Sequence, residues 1–411
     1  MNFELFIAKR IIASKQYKSS ISSPIIKIAT TAIALGIAIM LVSVSIVSGY
    51  QNKISDKMTS FKGHVQIVNY DTNNSDISTV AINKHQDFYP EFKNIKGIKN
   101  VQVFGNVAGI IRTPTDFEAI IFKGVSTDYD FSLFKEYLIE GRLPNFNQTR
   151  NREILISEAI ANRLNFKLND TIQTLFNAQK STLKYKMRKP IIVGIYNTSF
   201  GEFDKTMLIG DIREVRKINR WTDDQVGGFE VLLDNFEELN EKGDEIYSAI
   251  GATLNSITIV DNYPLIFEWI KLFDNNVWFI IGIMILIAGI NMITALLVLI
   301  LERVQMVGIL KALGSTNWGI QKIFLYNATY LILKGLFWGN LIGVIILLIQ
   351  KYFKVISLNP ETYAVATVPV NISFLTITIL SLGTLLLCFL MLIIPSYIIT
   401  KIQPSKSIKF A

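Results

Sequence analysis

His64 and His85 are the only histidines in the chain, and Cys388 is its one cysteine. Imidazole and thiolate are the usual carriers of zinc ligation, proton transfer and nucleophilic attack. Neither histidine has further ligands at a metal-binding spacing, so both read as surface or strand-edge residues. Cys388 lies inside an apolar run, where a lone cysteine serves as a small apolar filler. The chain has no GxxxxGK[ST] phosphate loop, no HExxH and no GxSxG elbow. Its carboxylates are plentiful but form no recognisable pair. These absences argue against an enzyme and against ATP hydrolysis through a phosphate loop of its own. No cofactor is expected on this chain.

The constellation that could do something is a binding one. Residues 302–314 read Glu-Arg-Val-Gln-Met-Val-Gly-Ile-Leu-Lys-Ala-Leu-Gly. Val304, Val307, Leu310 and Leu313 recur at i, i+3, i+6 and i+9, one stripe of a short helix. Gly314 suits the helix stop, and Ser315, Thr316 or Asn317 can cap the helix that follows. A short amphipathic helix here can lie flat on lipid or sit in a groove of a soluble partner. Its three charges are few for strong attraction to anionic lipid, which favours the groove.

Four long apolar runs position this segment. Ile28–Val47, Val277–Leu301 and Ile372–Thr400 contain no charge, and Ile323–Ile349 contains one, Lys334. About twenty apolar residues cross a bilayer core as a helix, and in lipid only a helix or a closed barrel satisfies its own backbone. The expected fold is a multi-pass α-helical membrane protein with four transmembrane helices, 25–48, 277–301, 320–349 and 372–400. A large α+β extracytoplasmic domain, 49–276, is inserted between helices 1 and 2. The remaining parts are a lead-in at 1–24, a loop at 302–319, a short outer loop at 350–371 and a tail at 401–411. The first run is longer than a signal-peptide core and reads as a retained anchor. Phe3, Phe6, Ile7 and Arg10 fit either a short amphipathic helix on the inner membrane face or an ordinary lead-in.

Charge sets the expected orientation. Lys9, Arg10, Lys15, Lys18 and Lys27 face one acid, Glu4, before the first span. Arg303, Lys311 and Lys322 face Glu302 in the loop after the second span, and Lys401, Lys406 and Lys409 follow the fourth. The insert carries 27 basic and 30 acidic residues. Basic excess next to spans marks the cytoplasmic side, so both termini are expected inside and the insert outside. The net charge of +8 is therefore no sign of nucleic-acid binding.

Within the insert, His64–Tyr70, Val101–Thr113, Phe117–Val125, Thr171–Phe176, Pro190–Asn197 and Phe229–Leu233 read as strands. Ser157–Leu164, Ile212–Ile218 and Phe236–Ala252 read as helices. Tyr263–Asn276 reads as a helix continuing into the second span, which would couple insert and membrane rigidly. A cysteine-free domain of this size can stand on its own core.

Gly335, Gly339 and Gly343 form a G-x-x-x-G-x-x-x-G stripe on the third span, a pattern that lets helices approach closely in lipid. Lys334 reads either as a functional intramembrane charge or as a lysine that snorkels to the headgroups. Asn291 and Asn340 are expected to hydrogen-bond between helices.

The stretch ERVQMVGILKALGSTNWGIQKIF resembles the hallmark loop of the FtsX/MacB-type ABC transporter permeases. SPIIKIATTAIALGIAIMLVSVSIVSGYQNKI resembles the first span of the lipoprotein-releasing branch, LolC/LolE, including a turn at Ser48-Gly49-Tyr50. LNPETYAVATVPVNI, IIPSYIITKIQPSKSIKF and REILISEAIANRLNFKLNDTI resemble further segments of that branch. The resemblance implies a two-lobed periplasmic domain and a dimeric permease in the bacterial inner membrane, pairing with a second copy or a sister chain. It implies two copies of a separate ABC ATPase, which would hold the ATP and Mg. The contact carried over to this chain is Glu302, Arg303, Gln305, Met306, Val307, Gly308, Leu310, Lys311, Leu313 and Gly314. The implied cargo is a lipoprotein, passed to a periplasmic carrier. The cargo surface would be the outer ends of the first two spans, at Val44, Val47, Trp278 and Phe279, with Ser43, Ser45 and Ser48 leaving room. The same side chains could instead face membrane lipid or pack within one subunit. An alternative within the family is a regulatory subunit that controls a periplasmic partner, although division-type members have a much smaller insert. Efflux permeases carry an ATPase domain on the same chain, and this chain leaves no room for one.

Overall fold

The computed structural model describes residues 3–13, 23–72, 76–147, 152–177 and 185–402. Pro404, Lys406 and Lys409 of the closing segment lie outside the described residues. Two compact units emerge, one of residues 1–50, 270–356 and 368–411, the other of residues 51–269 and 357–367.

The first unit is helical. Among the described residues, four helices are long and apolar enough to cross a membrane: Pro24–Lys62, Pro264–Glu302, Asn317–Phe353 and Phe374–Lys401. Their buried faces meet in one apolar core. Ile33, Met292, Phe324 and Leu392 contribute to it from the four spans in turn. The N-terminal helix Phe3–Ala13 sets Ala8 into this core, while Phe3 and Phe6 stay exposed. The glycine stripe of the third span lies against the first. A Cβ on Gly335 would stand 2.7 Å from Ile33, one on Gly339 2.6 Å from the Ala34 carbonyl, and one on Gly343 2.9 Å from Leu41. Asn340 donates to Ser381 Oγ of the fourth span across 2.8 Å. Asn291 is half-buried and Lys334 is exposed.

The first span differs from its expected outline. Ser48-Gly49-Tyr50 is not a turn, because the helix runs unbroken from Ser23 to Lys62. Ile54, Met58 and Phe61, at helical spacing, are all buried, which gives the extension an apolar face of its own. Gly63, at φ +69°, ends it. Gly49 has another role. A Cβ there would sit 2.8 Å from the backbone of both Pro369 and Asn371, and Asn371 N–H donates to the Ser45 carbonyl across 2.9 Å. Small residues four apart thus make a slot for the segment entering the fourth span. Ser45 is filled by the chain itself and leaves no room for cargo.

The second unit is mixed α and β. Its strands are β1 (Val65–Asn69), β2 (Ile82–Asn83), β3 (Ile98–Arg112), β4 (Phe117–Val125), β5 (Leu138–Gly141), β6 (Glu153–Ser157) and β7 (Thr174–Asn177). They continue with β8 (Tyr185–Arg188), β9 (Ile191–Tyr196), β10 (Met207–Asp211), β11 (Gln225–Val226), β12 (Gly228–Leu233) and β13 (Leu254–Thr258). The main sheet has the order β13-β1-β12-β3-β4-β10-β6-β9-β5, with β7 and β8 attached beside β3. One 15-residue strand, β3, organises it. Its first half pairs with β12 and its second half with β7 along the same edge, while β4 takes the other. Val107, Ile120, Phe122, Phe176 and Leu208 build a core on the β4–β10 side, closed by Val215 and Ile218 of helix Ile212–Asn219.

Candidate functional site

The second span ends at Glu302, and a separate nine-residue helix, Val304–Ala312, follows it. The stop is built locally. Gly314 takes φ +91°, and its N–H and that of Ser315 donate to the Lys311 and Leu310 carbonyls, each across 3.0 Å. A left-handed glycine with two back-bonds satisfies the last carbonyls of a helix. Thr316 then caps the third span, its hydroxyl accepting from Gly319 N–H at 3.1 Å.

The faces of the short helix correct the sequence reading. Val307, Gly308 and Leu310 are buried in the helical unit's own core. Val307 is 0% exposed, so it cannot fill a groove on another protein, and Leu310 sits beside it. The i, i+3 stripe mixes two surfaces: Val307 and Leu310 point inward, while Leu313 is 78% exposed. Glu302, Gln305, Ile309, Leu313 and Gly314 form the exposed side. Met306, Arg303 and Lys311 are intermediate. Burying Val307 and Leu310 contributes about 1.5–3 kcal/mol each to holding the helix in place.

Lys311 has a role that sequence did not disclose. Its ammonium donates to the carbonyls of Ile399, Thr400 and Ile402 at 2.7, 3.3 and 2.8 Å. These are carbonyls at the end of the one-turn helix Ile398–Lys401, where a cation also meets the negative end of the peptide dipoles. Desolvation there moves the Lys311 pKa down from the ordinary lysine value. The charge fixes the short helix to the segment that leaves the fourth span.

The ends of the first two spans that adjoin the inserted domain are arranged differently. Val44 and Val47 are half-buried. Trp278 and Phe279 on the second span are 71% and 70% exposed, two large aromatic side chains that the chain leaves uncovered. The two spans approach nearby, where a Cβ on Gly36 would be 3.9 Å from Met284.

The second unit holds charges that sequence reading passed over. Lys123 and Glu230 are fully buried and pair at 2.7 and 2.8 Å, with Gln102 donating to the same carboxylate at 3.0 Å. Lys57 is buried too, and its ammonium donates to the carbonyls of Thr198 and Ala364. Burial lowers its pKa to about 8, with Lys53 acting in the same direction and Asp204 opposing. Residues 357–367, between the third and fourth spans, thus join the inserted domain. Among the described residues no cluster of three or more His, Cys, Asp or Glu could hold a metal.

Four membrane-length helices around one core, a mixed α+β domain inserted after the first and a short surface helix after the second define a multi-pass membrane subunit. Residues 28–246, more than half the chain, match the MacB-like periplasmic core domain, and residues 278–404 match the FtsX-like permease C-terminal domain. The chain belongs to the FtsX/MacB-type permease family. It is similar to the lipoprotein-releasing system transmembrane protein LolE of Haemophilus influenzae, with 20% identity over 99% of both chains. LolC of Neisseria meningitidis serogroup B is 18% identical over 100% of this chain and 99% of its own. The periplasmic region of MacB from Actinobacillus actinomycetemcomitans overlays 50% of this chain and 92% of its own, at 16% identity and a TM-score of 0.35.

Proposed function

We propose that this chain is the permease subunit of an ABC transporter that releases lipoproteins from the inner membrane. In this reading a separate ATPase, in two copies, binds ATP and Mg and docks on the exposed side of the short helix through Gln305, Ile309, Leu313 and Gly314. A second copy or a sister permease completes the membrane part. Hydrolysis moves the inserted domain, and cargo held near Val44, Val47, Trp278 and Phe279 passes to a periplasmic carrier. The observation that carries the reading is similarity to lipoprotein-releasing permeases over nearly the whole chain. The uncovered Trp278 and Phe279 are chemically suited to acyl chains. The basic residues beside the spans support cytoplasmic termini and an outward-facing insert.

Two measurements test it. A cysteine placed at exposed Glu237 should react with an impermeant maleimide in intact spheroplasts, and one placed at Leu313 should not. A photo-crosslinker at Val44 or Val47 should trap a lipoprotein without ATP and release it when ATP is added. Adducts only to neighbouring helices and lipid, with lipoproteins still reaching the outer membrane after depletion of this chain, would leave the regulatory reading in its place.

A further inference from the structure

The inserted domain contains a cavity of about 500 Å³ where the β7–β8 hairpin, the start of β6 and helix Ile212–Asn219 meet. Its floor is apolar, made by Phe122, Ile154, Phe176 and Ile218, with Met187 on one wall. Phe122 and Phe176 stack edge to face at 5.8 Å. An apolar floor of this size with a few polar groups at the edge suits a small organic ligand.

The charges around it are not balanced. Glu153 and Asp211 line the cavity, but each is engaged by a cation that does not. Arg142 Nη1 lies 3.0 Å from Glu153 Oε2, and Arg213 Nε lies 2.8 Å from Asp211 Oδ2. The third acid, Glu214, is shared by Arg188 and Lys217, both at 2.8 Å and both lining the cavity. Arg152 and Lys189 then remain at the rim, exposed and without an ion pair among the described residues. Every lining acid is already neutralised, and the cations exceed them. Such a site favours a negative charge at its mouth and an apolar body on its floor.

We propose that this cavity binds a small amphipathic anion, a single alkyl or acyl chain ending in a carboxylate or a phosphate. The volume suits one chain and is too small for a two-chain phospholipid or a folded peptide. The site uses neither the short helix nor any partner protein, so it stands or falls independently of the transport reading.

The test uses the full chain in lipid nanodiscs with two soluble probes, octyl phosphate and octanoate, each bearing a diazirine near the chain end. Adducts are mapped by peptide mass spectrometry. Labelling is expected on the peptides that contain Phe176 and Met187. Excess unlabelled anion should suppress it, and octyltrimethylammonium should not. Labelling by one probe alone would identify the head group as phosphate monoester or carboxylate. Arg152→Glu combined with Lys189→Glu should lower labelling at least about tenfold, the scale expected for losing a charged contact. Met187→Trp, which fills the cavity and leaves both cations, should lower it as well. Adducts confined to the membrane spans, equal competition by the ammonium, or labelling that survives charge reversal in a folded variant would each overturn the proposal.

Discussion

The ammonium of Lys311 donates to the backbone carbonyl of Ile399 across 2.7 Å. One side chain thereby joins the surface helix after the second span to the end of the fourth, 88 residues further along the chain. Lys311 thus caps the last carbonyls of the one-turn helix, alongside the Ile402 N–H that donates to the Ile399 carbonyl. Lys311→Met should remove these bonds at a cost of about 1–2 kcal/mol. Trypsin cleavage after Lys401 in purified protein should then quicken several-fold. Lys311→Arg, which keeps the charge, should cleave at a rate near wild type. Equal rates for all three proteins would show that the clamp holds nothing.

The two faces of the short helix make separable predictions. Leu310→Asp places a carboxylate in the helical unit's core, where an unpaired charge costs several kcal/mol, so it should lower expression and thermal stability. Ile309→Asp and Leu313→Asp alter side chains that are 53% and 78% exposed. These proteins should insert and melt like wild type yet fail to co-purify with the partner ATPase. Retained co-purification with normal ATP turnover in both would mean that the exposed face lies on lipid.

The spans were legible because length and apolarity alone decide them. The strand Phe117–Val125 was read with its observed limits, since it is rich in β-branched and aromatic residues between turn formers. Strands β10 and β13 were missed because Met-Leu-Ile-Gly-Asp and Leu-Asn-Ser-Ile-Thr carry few of the β-branched and aromatic residues that mark a strand. The helix beyond Gly49 was missed for a different reason. Lys53, Asp56, Lys57 and Lys62 make 51–62 look like a solvated loop, and only the contacts of Ile54, Met58 and Phe61 show which side is buried. At the site, the i, i+3 spacing of Val304 to Leu313 gave the helix and its ends. A period cannot say which face looks inward when both faces of the helix carry apolar side chains. Nor could sequence place Lys311 beside Ile399, because nothing local links them.

The glycine stripe offers an internal control. A side chain on Gly339 would meet the Ala34 carbonyl and Ile37 Cβ within 2.8 Å. Neither can rotate away, so Gly339→Leu must push the first and third spans apart. Overpacking of this kind costs about 1–3 kcal/mol or more. Gly383 on the fourth span has nothing among the described residues within 4 Å of an added Cβ. Melting temperatures in detergent should fall for Gly339→Leu and stay near wild type for Gly383→Leu. A matched response would mean that the first and third spans do not depend on this contact.

The pH dependence of the inserted domain should carry the mark of His64. Its Nδ1 accepts the Leu233 N–H at 3.1 Å, so that nitrogen must stay unprotonated in the fold. Burial, assisted by the nearby Lys99 charge, lowers its pKa from 6.5 to about 4. Between these values the unfolded chain binds the proton and the folded chain does not. Stability therefore falls as pH drops from about 6.5 to about 4, by an amount on the order of 3 kcal/mol from this group. His64→Asn keeps an acceptor near the same place but cannot titrate. Carboxylates will steepen the acid side of both melting curves, so the informative quantity is the gap between them. That gap should change through this window and level off above about pH 7. Parallel curves from pH 7 to pH 4 would show that His64 does not hold its proton off in the folded state.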